Sequence, residues 1–144
     1  MVLSSDEIRA KLKHYWPNLG GWFKCNRIWL KNQWYETPTL SQLNKALNAC
    51  RINLPYTQNL NECDNFALFL HAKAKEYQVK NYPQSKYTWA FGDFVAKRRG
   101  LLGDTIHSAC FCFSENGFYI VEPTTDGNKI KELRDGYKAI VINM

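Results

Sequence analysis

Apolar residues recur at helical spacing in the first third of the chain. Ile8, Leu12 and Tyr15 follow Ser4-x-x-Glu7, which reads as a capping box. This first helix should stop before Pro17, and Gly20-Gly21 marks a loop. Thr39-x-x-Gln42 is a second capping box, and Leu40, Leu43, Leu47 and Cys50 continue it at the same period. Asn53 to Leu60 is a loop containing Pro55. A third helix opens at Asn61, a good N-cap with Asp64 three residues on. Phe66, Leu70, Ala74 and Tyr77 line its buried face, and Cys63 falls in its first turn.

The period then changes from helical to alternating. Residues 81–105 are polar and loop-rich, with a strand expected around Tyr87–Phe94. Ile106–Phe113 alternates as a strand. Ser114-Glu115-Asn116-Gly117 carries the Asn-Gly hairpin signal, Phe118–Glu122 returns, and Pro123 ends that strand. Tyr137–Ile142 reads as a final strand. Between the first two helices, Trp22, Phe23, Ile28, Trp29, Leu30, Trp34 and Tyr35 form an irregular aromatic segment, a cover for the core or a substrate wall. Helices first and an antiparallel sheet after them is an α+β pattern. No repeat, linker or composition break divides residues 1–144, so one domain is expected.

Composition and charge narrow the function classes. With 45% hydrophobic and 22% charged residues, disorder and low complexity are excluded. No apolar run approaches the roughly 18 residues of a membrane span. The net charge is +6, yet the longest basic run is Lys97-Arg98-Arg99, read as a solvated loop. Nucleic acid is therefore an unlikely main partner.

The cysteines, Cys25, Cys50, Cys63, Cys110 and Cys112, are odd in number and contain no C-x-x-C pair. Free thiols and an N-terminus without the signal-peptide pattern point to a reducing, cytoplasmic setting. Cys110 and Cys112 should share one apolar strand face.

A thiol in the first turn of a helix faces unsatisfied N–H groups and the positive end of the helix dipole, which favour thiolate. Cys63 is thus the candidate nucleophile. Of the histidines, His14 should be at the surface, and His71 is roughly 12 Å along the same helix, too far to reach the thiol. His107, on a downstream strand, is the candidate base. The orienting acid is Glu122, on the next strand and on the same face as His107 in each of three hairpin registers. A two-residue Asn-Gly turn would set Asp126 opposite His107, a four-residue loop Thr124, and a six-residue loop Glu122; Glu122 thus needs a loop longer than the minimal hairpin or a diagonal contact, and Asp126 is a rival. The Cys63 N–H and the Gln58 amide are the candidate oxyanion donors.

"Glu62-Cys63-Asp64-Asn65-Phe66-Ala67" resembles the nucleophile helix of papain-like and transglutaminase-like cysteine enzymes. The segment from His107 to Glu122-Pro123-Thr124 resembles their histidine strand, turn and acid strand, with Glu where Asp or Asn is common. The likeness extends over residues 38–124. It is closest to the papain-like protease domain of a fungal mushroom agglutinin, and similar stand-alone phage and bacterial proteins share the helix motif. It implies a papain-like fold and a cysteine peptidase or amidase with a Cys63-His107-Glu122 triad, a thioester acyl-enzyme and a peptide or other amide as substrate. It also suggests, weakly, calcium held by Asp64 and Asp126, although no Asp-rich loop demands a metal. The alternative is a non-catalytic binding protein on the same fold, using residues 22–37 and 97–99 against a protein or nucleic acid.

Overall fold

The computed structural model of the chain describes residues 1–17, 28–52, 55, 62–100, 103–124, 127–132 and 137–144, with backbone alone at 98–100, 103–104, 132 and 138. Both expected capping boxes form. Ser4 caps α1 (Ser5–Tyr15), and Thr39 caps α2 (Leu40–Ala49), each with the reciprocal bond from the third helical residue. The long α3 (Cys63–Asn81) differs at its start. Its N-cap is Glu62, which makes no side-chain cap bond, and Asn61 lies outside the described residues. Phe66, Leu70 and Ala74 are buried along α3 as their spacing predicts.

The main sheet orders its strands β2-β8-β4-β5-β6-β7. β4 (Phe91–Gly100), β5 (Gly103–Ser114), β6 (Gly117–Glu122) and β7 (Lys129–Glu132) pair antiparallel in sequence, and β8 (Tyr137–Asn143) returns beside β4. Two expectations are corrected here. The stretch before residue 105 is not mostly loop: β4 and β5 form a long hairpin, so the Lys97–Arg99 run lies on a strand. Nor is the sheet wholly antiparallel and C-terminal. β2 (Ile28–Trp29), from the aromatic segment, adds to β8 in parallel. β3 (Trp34–Glu36), from the same segment, pairs instead with β1 (Val2–Ser4) in a small second sheet. β7 has no strong apolar alternation and was not anticipated.

The helices divide between the two faces of the sheet. Ile8 and Leu12 of α1, with Trp16 at its C-cap, pack with Phe94, Phe111, Phe113 and Ile120. Leu43 and Leu47 of α2, with Phe66 and Leu70 of α3, pack with Phe91, Cys110, Cys112 and Val121. The run Ala109–Phe113 is therefore apolar throughout, because side chains on both strand faces are buried. The α+β class stands, with three layers rather than helices on one side.

Gly92 sets the spacing between β4 and β8. A Cβ there would lie 2.3 Å from the Asn143 carbonyl oxygen and 2.8 Å from the Phe111 ring. The backbone oxygen cannot yield as a flexible side chain would. Gly92→Ala should lower stability by about 1–3 kcal/mol, seen as a lower urea midpoint at unchanged slope.

Candidate active site

The β5–β6 turn decides which acid meets His107. Ser114 pairs with Gly117, which leaves Glu115 and Asn116 as a two-residue loop. Gly117, at φ 146°, takes a backbone conformation that disfavours a Cβ. The turn thus falls one residue earlier than the Asn-Gly pair suggests. Continuing this register sets Thr124, not Asp126, across from His107, with Glu122 diagonal to it. The diagonal contact forms: His107 Nε2 lies 2.7 Å from Glu122 Oε2. Asp126 and Gln58 lie outside the described residues.

Two residues that the sequence reading missed complete the surroundings of Glu122. The Tyr137 hydroxyl donates to Glu122 Oε1, and Lys131 Nζ stands 3.7 Å from the same oxygen. The Glu122 side chain is only 7% exposed. Burial by itself would raise its pKa. Hydrogen bonds from His107 and Tyr137, with the charges of His107 and Lys131, outweigh burial and hold it at about 2. An alternating strand beginning with an aromatic residue was the only sign of Tyr137 in the sequence, and its partner is 15 residues away.

Cys63 is the first residue of α3 and is half-buried. Three contacts orient that helix. Cys110 Sγ donates to the Ala67 carbonyl at 3.1 Å, and His71 Nδ1 meets Asp93 Oδ1 at 2.6 Å. Further on, Gln78 Oε1 accepts from the Trp89 N–H at 2.7 Å. Moving along α3 therefore means moving backward along β4 and forward along β5. The Cys63 end, about 6 Å before Ala67 on the helix axis, lies toward the His107 end of β5.

Alternation places His107 with Ala109 and Phe111 on the α1 side of β5, whereas Cys110 touches α3 on the other side. Among the described residues the imidazole is hydrogen-bonded to Glu122 and not to the Cys63 thiol. With Nε2 facing the carboxylate, Nδ1 is the nitrogen left for proton transfer.

The other described cysteines are poorer nucleophiles. Burial pushes the thiols of Cys50, Cys110 and Cys112 above the ordinary range. Cys25 lies outside the described residues. His14 is exposed, as expected. His71 is committed to Asp93, whose second oxygen accepts from Asn143 Nδ2 at 2.9 Å. Burial would raise the Asp93 pKa, but the bonds from His71 and Asn143 bring it below the usual value. Among the described residues, no group of three or more His, Cys, Asp or Glu side chains is arranged to hold a metal. Asp64 Oδ1 accepts from the Asn65 N–H at 2.9 Å. No helix among the described residues is long and apolar enough to cross a membrane.

No protein-family model and no curated protein matches the sequence. A solved structure of a PSL1a–E64 complex aligns with a TM-score of 0.77 at 18% identity, covering 98% of this chain and 49% of that chain. The two share a fold, and this chain spans about half the length of that one.

Glu122 makes stability depend on acid. Its folded pKa, about 2, lies below its ordinary value of 4.5, so its contribution is complete above the ordinary value. That contribution is lost as pH falls through the window between them, and Asp93 acts with the same sign. Urea midpoints should fall on acidification from about pH 5 toward pH 2, and less steeply in Glu122→Gln.

Proposed function

We propose that this chain is a cysteine hydrolase of papain-like or transglutaminase-like type, acting as a peptidase or amidase. The observation that carries the reading is the His107–Glu122 hydrogen bond, at 2.7 Å with a buried carboxylate. The pair reproduces the base and orienting acid of a thiol-based triad. Cys63, at the start of α3, is the proposed third member, although alternation sets His107 on the face of β5 opposite α3. The shared fold with PSL1a, captured in complex with the cysteine protease inhibitor E64, supports the same reading.

In this mechanism the Cys63 thiol gives its proton to His107 Nδ1, and the thiolate sulfur attacks the amide carbonyl. Glu122 holds the Nε2–H and stabilises the imidazolium. The Cys63 N–H, which Glu62 does not cap with its side chain, polarises the developing oxyanion, with Gln58 as the second donor. The imidazolium protonates the departing amine as the C–N bond breaks, leaving a thioester on Cys63. Water then attacks the thioester, its proton passing to His107, and the acid is released as the thiol reforms.

This mechanism requires Cys63 and His107 to come within a few ångströms of each other. Iodoacetamide labelling followed by mass spectrometry should modify Cys63 quickly below about pH 7 and leave Cys50, Cys110 and Cys112 slow. His107→Ala should slow the Cys63 reaction by about tenfold or more. 1,3-Dibromoacetone should cross-link Cys63 to His107. Cys63→Ala should abolish amide turnover while keeping the fold. An ordinary thiol profile near about pH 8.5, unchanged by His107→Ala, would exclude the mechanism.

A further inference from the structure

We propose that Tyr137 is a positioning residue of this site, acting on His107 through Glu122. The proposal rests on the cysteine-hydrolase reading above. Glu122 has two oxygens with separate duties. Oε2 faces His107 Nε2 at 2.7 Å, and Oε1 receives the Tyr137 hydroxyl. The carboxyl group is planar, so fixing one oxygen fixes the other. A terminal sp² torsion is otherwise broad, and the carboxylate would swing away from the imidazole.

The other groups around Glu122 cannot replace this hold. Lys131 reaches Oε1 only at 3.7 Å, and its side chain is 47% exposed, so water and salt screen it. Lys129 is the cross-strand partner of Glu122 on β7. These two lysines, with His107, Tyr137 and the more distant buried Cys110 thiol, are charged or titratable groups that face the carboxylate among the described residues.

Tyr137 also touches the imidazole directly. The two ring centroids are 6.0 Å apart at 35°. On its other side the tyrosine ring meets Phe94 edge-on, at 5.8 Å and 82°. Tyr137 sits on β8, and β4 separates that strand from β5. Ala96 makes the reach across β4 feasible. It pairs with His107 on one side and Ala139 on the other, and it carries only a methyl group on the shared face. A larger residue at 96 would stand between the phenol and the dyad.

Tyr137→Phe keeps the ring and its contact with Phe94 while removing the donor, so the fold should be retained. The test measures the iodoacetamide rate at Cys63 against pH in the full-length wild type, Tyr137→Phe, Tyr137→Leu and His107→Ala. Urea midpoints on the same samples report folding. The Tyr137→Phe rate below pH 7 should fall about tenfold, while the rate above about pH 9 stays at the wild-type level. The window in which the thiolate–imidazolium pair is reactive should narrow. Tyr137→Leu, which also loses the ring, should fall further. A profile for both folded variants that overlays the wild type would overturn the positioning role and leave the hydrolase reading intact. An ordinary wild-type thiol profile, insensitive to His107→Ala, would overturn the hydrolase reading and the positioning role together.

Discussion

The pairing of Ser114 with Gly117 fixes the register of β5 and β6, and with it which acid meets His107. Side chains alternate along a strand, so a one-residue slip would turn Glu122 to the opposite face from His107. The two-residue turn prevents that slip, and Gly117 makes the turn affordable by accepting a positive φ. Burial on both faces reinforces the register. Phe111 and Phe113 must meet α1, while Cys110 and Cys112 must meet the α2–α3 layer. A shifted strand would satisfy neither layer.

The C-terminal strand β8 connects the two parts of the candidate site. Near its start, Tyr137 donates to Glu122. Near its end, Asn143 donates to Asp93, which in turn holds His71 on α3. That is the helix that begins with Cys63. The thiol-bearing helix and the imidazole–carboxylate pair are thus both referenced to one strand. The His71–Asp93 contact ties α3 to β4, although the other ring nitrogen of His71, Nε2, is buried without a hydrogen-bond partner among the described residues.

Burial raises the pKa of Cys50, Cys110 and Cys112. Cys110 and Cys112 behave as small apolar residues inside the sheet–helix interface, where ionisation is costly. Cys63 is half-buried at the start of α3, where Glu62 makes no side-chain cap bond and Asp64 accepts from the Asn65 N–H. Glu122 stays ionised despite its burial, because His107 and Tyr137 donate hydrogen bonds to it and the Lys131 charge stands nearby.

The capping boxes at Ser4 and Thr39, the buried face of α3, and the shared face of His107 and Glu122 were all legible in the sequence. Each depends on residues a few positions apart or on strict alternation, which local physics dictates. The sequence also marked the hairpin, but not the one-residue offset that makes Glu122 the diagonal partner. That offset depends on how β5 is buried by two layers at once. Strands β2 and β3 joined the sheets through partners far along the chain, so no local period announced them, and the strand expected around Tyr87–Phe94 ran on to Gly100 as half of a long hairpin. Tyr137, Lys131 and the His71–Asp93–Asn143 network belong to the same category. Each is a contact between elements distant in sequence, and only the packing of α3, β4 and β8 decided which side chains meet.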